Sequence, residues 1–191
     1  MHLFLDLETT NLAPRTKTGY VDYKDTEKYD SCRIIQIYMA LYDKDELIDE
    51  IHTYVDPKMP IPEKSKEITK ITDEMVKDKK ITTEMISKMN KMLKTTTLVI
   101  GHNINFDVYI LASELHRMKK ENLAKNLFYK KRFCTMKNAH LIQKGGKYTK
   151  LETLYSSFYT EKIGDAHDAK TDVLMCKKIF DIYKQFEKIK I

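Results

Sequence analysis

The segment Leu3-Phe4-Leu5-Asp6-Leu7-Glu8-Thr9-Thr10 opens the 191-residue chain and decides its fold. Its apolar run predicts a buried strand with apolar side chains on both faces. Side chains two positions apart on a strand point to the same face, so we expect Asp6 and Glu8 side by side. Two such carboxylates repel each other unless a cation compensates them, and hard cations such as Mg²⁺ prefer carboxylate ligands. The pair therefore indicates either a metal site or a solvated strand end.

The composition limits the class of protein. Apolar residues make up 42% and charged residues 32%, as in globular proteins that form a core. We expect a single domain over residues 1–191, soluble and intracellular (cytoplasmic or nuclear), with no membrane span and no signal peptide. The three cysteines are widely spaced, which favours reduced thiols. A net charge of +6 favours a polyanionic partner such as nucleic acid.

Hydrophobic periodicity predicts the remaining elements. A polar loop inserted at residues 12–32 follows the first strand and is longer than an ordinary connection. Further strands are predicted at 33–42, 47–55, 98–101 and 130–135, and the first two of these form a hairpin. Two predicted helices begin after the capping residues Thr82 and Asn105. Three more are predicted, over 136–143, from about Leu151, and over about 169–186. This order implies an α/β fold with a mixed sheet and helices on its faces.

A carboxylate lies on the apolar stripe of the last predicted helix. Cys176, Phe180 and Tyr183 form this stripe, and Asp172 lies four residues before Cys176 on the same side. A carboxylate that faces a core is costly unless a cation or hydrogen-bond donors compensate it. His167 precedes Asp172 by five residues, in a segment that is typical of a loop entering a helix.

Asp107 allows two interpretations. It stands in the first turn of the helix that follows the Gly101 strand, where an acidic residue commonly interacts with the helix dipole. His102 and Asn103 are likewise compatible with an ordinary turn. From the residues alone, these three positions remain either structural or functional.

The segments FLDLETT, GHNINFD and HDAKTD resemble the three motifs of the DEDDh (DnaQ-like) 3′–5′ exonucleases. They occur in the order of that family, and the resemblance covers essentially the whole chain. It implies a ribonuclease-H-like α/β fold, in which a mixed five-stranded sheet carries helices on both faces. It also implies an enzyme that hydrolyses phosphodiester bonds from a 3′ end and releases nucleoside 5′-monophosphates.

The resemblance further implies roles for individual residues. Four carboxylates would bind two Mg²⁺ or Mn²⁺ ions: Asp6, Glu8, Asp107 and Asp172. Two metal ions can stabilise both the attacking and the leaving oxygen of a phosphoryl displacement. His167 would be the general base that takes a proton from the attacking water. Residues at the terminal nucleotide would be Thr9, Thr10, His102, Asn103 and Phe106.

Two further segments are candidates for contacts with the nucleic acid. Lys144 and Lys147 flank Gly145-Gly146, and they are interpreted either as contacts to the phosphate backbone or as an ordinary solvated lysine face. The inserted loop interleaves basic and aromatic residues, a composition that binds single strands by charge and stacking. We therefore expect this loop to lie over the nucleotide path. Asn11 stands where the family usually has glycine, and the loop is longer than in compact members.

We expect the substrate to be single-stranded or frayed DNA in preference to RNA. An exoribonuclease or small-oligonucleotide nuclease is the alternative within the same class. A non-catalytic nucleic-acid-binding module is the alternative from another class, although all five catalytic residues are present. A polymerase partner is compatible with the family, but the sequence shows no obvious docking segment.

Overall fold

Five strands form one mixed sheet at the centre of the structure. The computed structural model describes residues 1–144, 148–164 and 167–186. The strands are β1 (His2–Thr9), β2 (Ile34–Asp43), β3 (Glu46–Tyr54), β4 (Leu98–Gly101) and β5 (Arg132–Cys134). Their order across the sheet is β3-β2-β1-β4-β5, with β1 antiparallel to β2 and parallel to β4. The predicted mixed five-stranded sheet is confirmed.

Helices cover both faces of this sheet, as predicted. They are α1 (Glu63–Thr69), α2 (Asp73–Val76), α3 (Thr83–Thr95), α4 (Asn105–Arg117), α5 (Glu121–Phe128), α6 (Thr135–Asn138), α7 (Leu151–Ser156) and α8 (Ala169–Gln185). Helices α3, α4 and α5 pack on one face, and α7 and α8 pack on the other. Within the described residues, no helix is both long and apolar enough to cross a membrane.

Strand β1 supplies side chains to both cores. Leu3, Leu5 and Leu7 join the core beneath α3, α4 and α5. Phe4 points to the opposite face, where its ring centroid lies 5.7 Å from that of Phe180 in α8. Strand β1 is therefore buried on both faces, which explains its nearly continuous apolar run.

Helix α8 packs on the sheet through the stripe predicted from the sequence. Cys176, Phe180 and Tyr183 are at most 2% exposed. The Tyr183 hydroxyl group donates a hydrogen bond of 2.9 Å to the carbonyl oxygen of Thr135. This bond attaches the carboxyl-terminal half of α8 to the segment that follows β5.

The loop between β1 and β2 folds back against α4 and α5. Tyr23 and Tyr29 of this loop are buried, at 3% and 1% exposure. Arg117 of α4 donates to the carbonyl oxygen of Thr26 and pairs with the Asp30 carboxylate, both at 2.6 Å. The β1–β2 loop is thus held by its own aromatic and ionic contacts.

Two local predictions are wrong. Asn105 does not cap α4 but is its first residue, and its side-chain oxygen accepts a hydrogen bond from Arg132 at 2.9 Å. The helix predicted over 136–143 is replaced by the four-residue α6 and a 3₁₀ turn. The Asn138 amide donates to the Cys134 carbonyl oxygen at 2.9 Å, and such local side-chain bonds compete with helix continuation.

We predict that Gly101→Ala destabilises the fold, because β1 and β4 approach too closely for a side chain here. A Cβ atom at residue 101 would lie 2.8 Å from the Leu5 carbonyl oxygen and 2.8 Å from Ile104 Cδ1. The free energy of unfolding, measured in urea, should fall by about 1–3 kcal/mol. Gly19→Ala is the matched control, since nothing lies within 4 Å of its Cβ position. Equal unfolding midpoints for the two variants would contradict the prediction.

Candidate active site

The candidate active site lies at the carboxyl end of β1, beside β4 and α8. Asp6 and Glu8 occupy alternate positions of β1, on the same face as Phe4. That face packs against α8, so both carboxylates point towards the start of this helix. The parallel pairing of β1 with β4 brings the start of α4 to the same edge of the sheet.

Asp107 is joined directly to β1. Asp107 is only 2% exposed, and its Oδ1 accepts a hydrogen bond of 3.0 Å from the Leu7 N–H group. This bond holds the first turn of α4 against β1, between the positions of Asp6 and Glu8. Asp107 is therefore buried against β1 in the first turn of α4, a position compatible with both the structural and the functional interpretation.

Asp172 lies in the first turn of α8, as predicted. Its Oδ1 atom is buried and has no hydrogen-bond partner among the described residues. Asp168 caps the helix, because its Oδ1 accepts a hydrogen bond of 3.0 Å from the Thr171 N–H group. The cap fixes the first turn and hence the direction of the Asp172 side chain.

A buried glutamine, which sequence reasoning missed, attaches this turn to the sheet. Gln36 of β2 is 1% exposed. Its Nε2 donates to Asp168 Oδ2 at 2.9 Å, and its Oε1 accepts from the Ala169 N–H group at 3.0 Å. The same Nε2 lies 3.1 Å from His52 Nε2 on β3. The available signal was a single amide within an apolar strand, since a buried polar group needs a partner.

His167 directly precedes the capped turn and is exposed to solvent. Its backbone is left-handed, with φ of 62°. One ring nitrogen of His167, one oxygen of Glu8 and one oxygen of Asp172 all lie within 4.8 Å of one another. The structure thus brings the imidazole and the carboxylates together, although 159 positions of sequence separate Glu8 from His167 (167 − 8).

The four carboxyl groups of the site, two of them buried and two half-buried, have raised pKa values. Burial raises the pKa of Glu8 to about 9, and the neighbouring Asp172 and Asp107 add to the rise. Burial also raises the pKa of Asp172 to about 7, although the His167 backbone partly offsets it. The pKa values of Asp6 and Asp107 are raised well above the ordinary range, chiefly by burial. The cluster therefore resists full ionisation unless positive charge is added.

Positive side chains do not supply that charge within the described chain. No lysine or arginine among the described residues forms an ion pair with any of the four carboxylates. Other carboxylates are paired, such as Asp181 with Lys177 at 2.6 Å. A cluster of oxygen donors that includes a buried, unpartnered oxygen fits a hard divalent cation.

A cavity of about 400 Å³ opens beside the carboxylates. Glu8 and the predicted residues Thr9 and Phe106 line it. The remaining wall comes from the start of the β1–β2 loop and from α1, and it includes Leu12, Lys64, Ser65 and Ile68. Helix α1 is therefore part of the site, which sequence reasoning missed because α1 carries no motif.

Thr10 was predicted to hold the terminal nucleotide, and its side chain is occupied within the protein instead. The residue is 1% exposed. Its hydroxyl group donates to the Ser31 carbonyl oxygen at 3.0 Å and accepts from the Arg33 N–H group at 2.9 Å. These bonds close the base of the β1–β2 loop, and the contact of Thr10 with a nucleotide stays a prediction.

His102 and Asn103 lie at the edge of the site. His102 Nδ1 is 2.9 Å from Thr135 Oγ1, and burial lowers the pKa of this histidine to about 4. The ring is therefore neutral near pH 7 and suits positioning better than proton transfer. Asn103 has left-handed backbone, with φ of 66°. Its side chain faces the Tyr20 hydroxyl group and partly offsets the rise that burial causes in the Tyr20 pKa.

The two lysines predicted to contact phosphates are not tested by the structure. Lys144 is exposed. Lys147 lies outside the described residues, as do Gly145 and Gly146. Both lysine contacts therefore stay predictions.

Comparison with known proteins supports one family. A family model described as "Exonuclease" matches residues 3–180. The DNA polymerase III subunit epsilon of Treponema pallidum is 31% identical over 160 residues, which cover 82% of this chain and 72% of that protein. The DNA polymerase III PolC-type of Thermotoga maritima is 34% identical over 107 residues, or 56% of this chain. The matched region spans only 7% of that longer protein.

Solved structures show the same fold at low sequence identity. The nuclease domain of 3′hExo, a DEDDh family member bound to rAMP, superposes with a TM-score of 0.70 and 16% identity. The match covers 96% of this chain and 91% of that one. E. coli Exonuclease I in complex with a dT13 oligonucleotide gives a TM-score of 0.74 and 16% identity, over 98% of this chain and 41% of that chain.

The raised carboxyl pKa values predict the pH dependence of stability without metal. The carboxyl groups of the site keep their protons in the folded protein up to their raised pKa values, whereas in the unfolded chain they lose them near about pH 4. Between these pH values the folded protein therefore binds more protons than the unfolded chain. In EDTA, the free energy of unfolding should therefore fall as pH rises through about 7, for Asp172, and about 9, for Glu8. Urea unfolding at pH 5, 7 and 9 measures this trend.

The control for this prediction is Glu8→Gln, which removes one buried acid while keeping its shape. Its loss of stability between pH 5 and 9 should be smaller than that of the wild type. Excess Mn²⁺ should raise the melting temperature more at pH 8 than at pH 6, because the metal binds the ionised cluster. Parallel pH profiles for wild type and variant would show that Glu8 does not titrate as described.

Proposed function

This chain belongs to the exonuclease family, in its DEDDh (DnaQ-like) branch, and we propose that it is a metal-dependent 3′–5′ exonuclease of single-stranded or frayed DNA. The reaction adds water across the terminal phosphodiester bond. It releases a nucleoside 5′-monophosphate and leaves a new 3′-hydroxyl group on the shortened strand. Family membership carries the class of reaction, and the residues of the site support the proposed chemistry.

One observation carries the proposal: Glu8, Asp172 and His167 meet within 4.8 Å in a cluster of acids that has no cationic partner in the described chain. A structural role would favour pairing or solvation of these groups, since unpaired buried carboxylates are destabilising. An unpaired acidic cluster beside a cavity is typical of a catalytic site, where the function requires groups that are unfavourable for stability.

The four carboxylates would hold the metal, and we propose two Mg²⁺ or Mn²⁺ ions on Asp6, Glu8, Asp107 and Asp172. Bound there, the ions would offset the charge of the phosphate and of the acids, which is the main electrostatic obstacle to attack by water. Asp107 accepts a hydrogen bond from the Leu7 N–H group at Oδ1, which fixes its carboxylate against β1 for this role.

His167 is proposed as the general base. Its exposed ring, close to Glu8 and Asp172, can take a proton from the attacking water at one imidazole nitrogen. The nearest alternative among the described residues, Asp168, is committed to Gln36 and Thr171. Burial would raise the pKa of Asp168, but these hydrogen bonds outweigh it and the pKa lies below the ordinary value. A more acidic carboxyl group is a weaker base.

The cavity beside the acids is proposed to hold the terminal nucleotide. Phe106 offers a ring on which a base can stack, and Leu12 is 78% exposed on the same cavity. The Lys64 side chain lines this cavity and supplies a positive charge. Thr9 has its hydroxyl group bonded to the Asn11 carbonyl oxygen at 2.8 Å, so its side chain shapes the turn beside the nucleotide.

DNA is proposed as the substrate because the sequence relatives are DNA polymerase III proteins. Association with a polymerase is a second proposal, supported by the names of those relatives alone. All five proposed catalytic residues come from this chain, so we expect activity without a partner. Activity that appears only with a polymerase subunit would favour the second proposal.

We predict that the purified chain releases mononucleotides from the 3′ end of a 5′-labelled DNA oligonucleotide in Mg²⁺ or Mn²⁺, and that EDTA stops it. Asp6→Asn and Asp172→Asn should reduce cleavage to background while circular dichroism stays unchanged. Asp181→Asn, on the same helix but paired with lysines, is the matched control and should stay active. A matched RNA oligonucleotide tests the substrate class, and faster cleavage of RNA would overturn the DNA assignment.

His167→Ala should lower kcat by about 10²–10⁴-fold, the range for losing a general base. The kcat of the wild type should rise with pH through an ionisation that the variant lacks. His140→Ala is the control, because His140 is exposed, its Nδ1 lies 3.1 Å from the Lys137 carbonyl oxygen, and it does not belong to the group formed by Glu8, His167 and Asp172. Identical pH profiles for wild type and His167→Ala would assign the base to another group.

A further inference from the structure

We propose that the folded-back β1–β2 loop builds a second binding surface, which stacks unpaired bases of the DNA strand upstream of the cleaved nucleotide. This inference rests on the proposed nuclease function. The aromatic surface consists of Tyr20 from the loop, Tyr109 from α4, Phe128 from α5 and Tyr129 directly after α5.

The rings of the aromatic surface form one continuous series. Tyr20 and Tyr109 have ring centroids 5.1 Å apart, Tyr109 and Phe128 are 5.0 Å apart, and Phe128 and Tyr129 are 5.4 Å apart. A cavity of about 240 Å³ opens among these four rings, and buried Tyr23 also lines it. Tyr129 is 70% exposed at its rim, so a large aromatic face is available to a ligand.

Positive charge surrounds the aromatic surface. The Arg15 guanidinium lies 4.8 Å from the Tyr20 ring centroid, and the Arg132 guanidinium lies 5.0 Å from that of Phe128. The Lys24 amine lies 5.9 Å from the Tyr23 ring centroid. None of these three cations forms an ion pair within the described residues.

The aromatic surface carries little opposing negative charge. Among the described residues, Asp22 is the one acidic residue in the cavity lining, and its Oδ1 accepts a hydrogen bond from the Lys24 backbone N–H group at 3.0 Å. Aromatic rings beside cations without counter-ions match a ligand with stacked bases and phosphates. A single-stranded polyanion therefore fits better than an acidic or an apolar protein surface.

Two contacts connect the aromatic surface to the active site. The Tyr20 hydroxyl group faces the Asn103 side chain, and Arg132 donates to Asn105 Oδ1 at 2.9 Å. Both asparagines belong to the segment that leads into Asp107. A strand whose 3′ end occupies the carboxylate site can therefore reach this surface without leaving the protein. Tyr129 and Arg15 are exposed, so neither is needed to fill a core.

The test uses the full chain with Arg15→Ala and Tyr129→Ala combined, and compares a DNA 16-mer with a dinucleotide. The KM for the 16-mer should rise about tenfold, the order expected for losing a stacked base and a phosphate contact, while kcat is unchanged. The dinucleotide cannot reach the aromatic surface, and its KM should not change. Lys91→Ala combined with Phe186→Ala removes an exposed cation and an exposed ring elsewhere, and should alter neither substrate.

Binding separates this inference from the nuclease proposal. Fluorescence anisotropy in EDTA should show weaker binding of dT16 to the double variant, and no effect of Tyr129→Ala alone on an abasic 16-mer, which has phosphates without bases. Equal changes for long and short substrates, or unchanged dT16 affinity, would overturn the aromatic surface even if the wild type is an active nuclease. If the wild type is inactive as a nuclease but the double variant still binds dT16 more weakly than the wild type, only the nuclease proposal is overturned. A larger effect on U16 than on dT16 would assign the surface to RNA.

Discussion

The fold brings four mutually repelling carboxyl groups together at the end of β1, and none of them has an ion-pair partner among the described residues. Apolar packing offsets the unfavourable repulsion between these acids, because each acid belongs to a strand or helix whose position is fixed by packing in one of the two cores. Both cores hold β1, and the stripe of α8 holds Asp172 in place. The hydrogen bond from the Leu7 N–H group to Asp107 then joins α4 to β1. The fold leaves the mutual repulsion of the acids uncompensated by positive side chains among the described residues, and added positive charge would reduce this repulsion.

The sequence predicted most of the framework because its signals are local. The alternation of β1 placed Asp6 and Glu8 on one face, and the apolar stripe of α8 placed Asp172 against the core. Helix α5 was missed because its buried residues, Leu123, Ala124 and Leu127, span little more than one turn. The 136–143 helix failed because a local asparagine bond competed with the helical pattern.

Interactions between distant parts of the chain could not be predicted in the same way. Gln36 contacts Asp168 across 132 positions, and no local pattern indicates which partner a buried amide will find. The aromatic contacts of the β1–β2 loop are also long-range, since Tyr20 of the loop meets Tyr109 of α4. The start of α8 shows why this matters: Asp168 serves as helix cap and anchor, which leaves His167 and Asp172 free to face the site.

The attachment of α8 by Gln36 also bears on how the protein is made. Strands β1, β2 and β3 pair as neighbours in sequence and are synthesised before α8, although a domain generally folds as a unit. The nascent chain then exposes Asp6 and Glu8 with no α8 to cover them. Gln36 can form its hydrogen bonds to Asp168 and Ala169 only after these residues have emerged. These bonds attach the start of α8 to the sheet, which brings Asp172 into the acidic cluster. A nascent chain therefore lacks the completed acidic cluster, and with it the capacity for hydrolysis, until residues 168 and 169 have been synthesised.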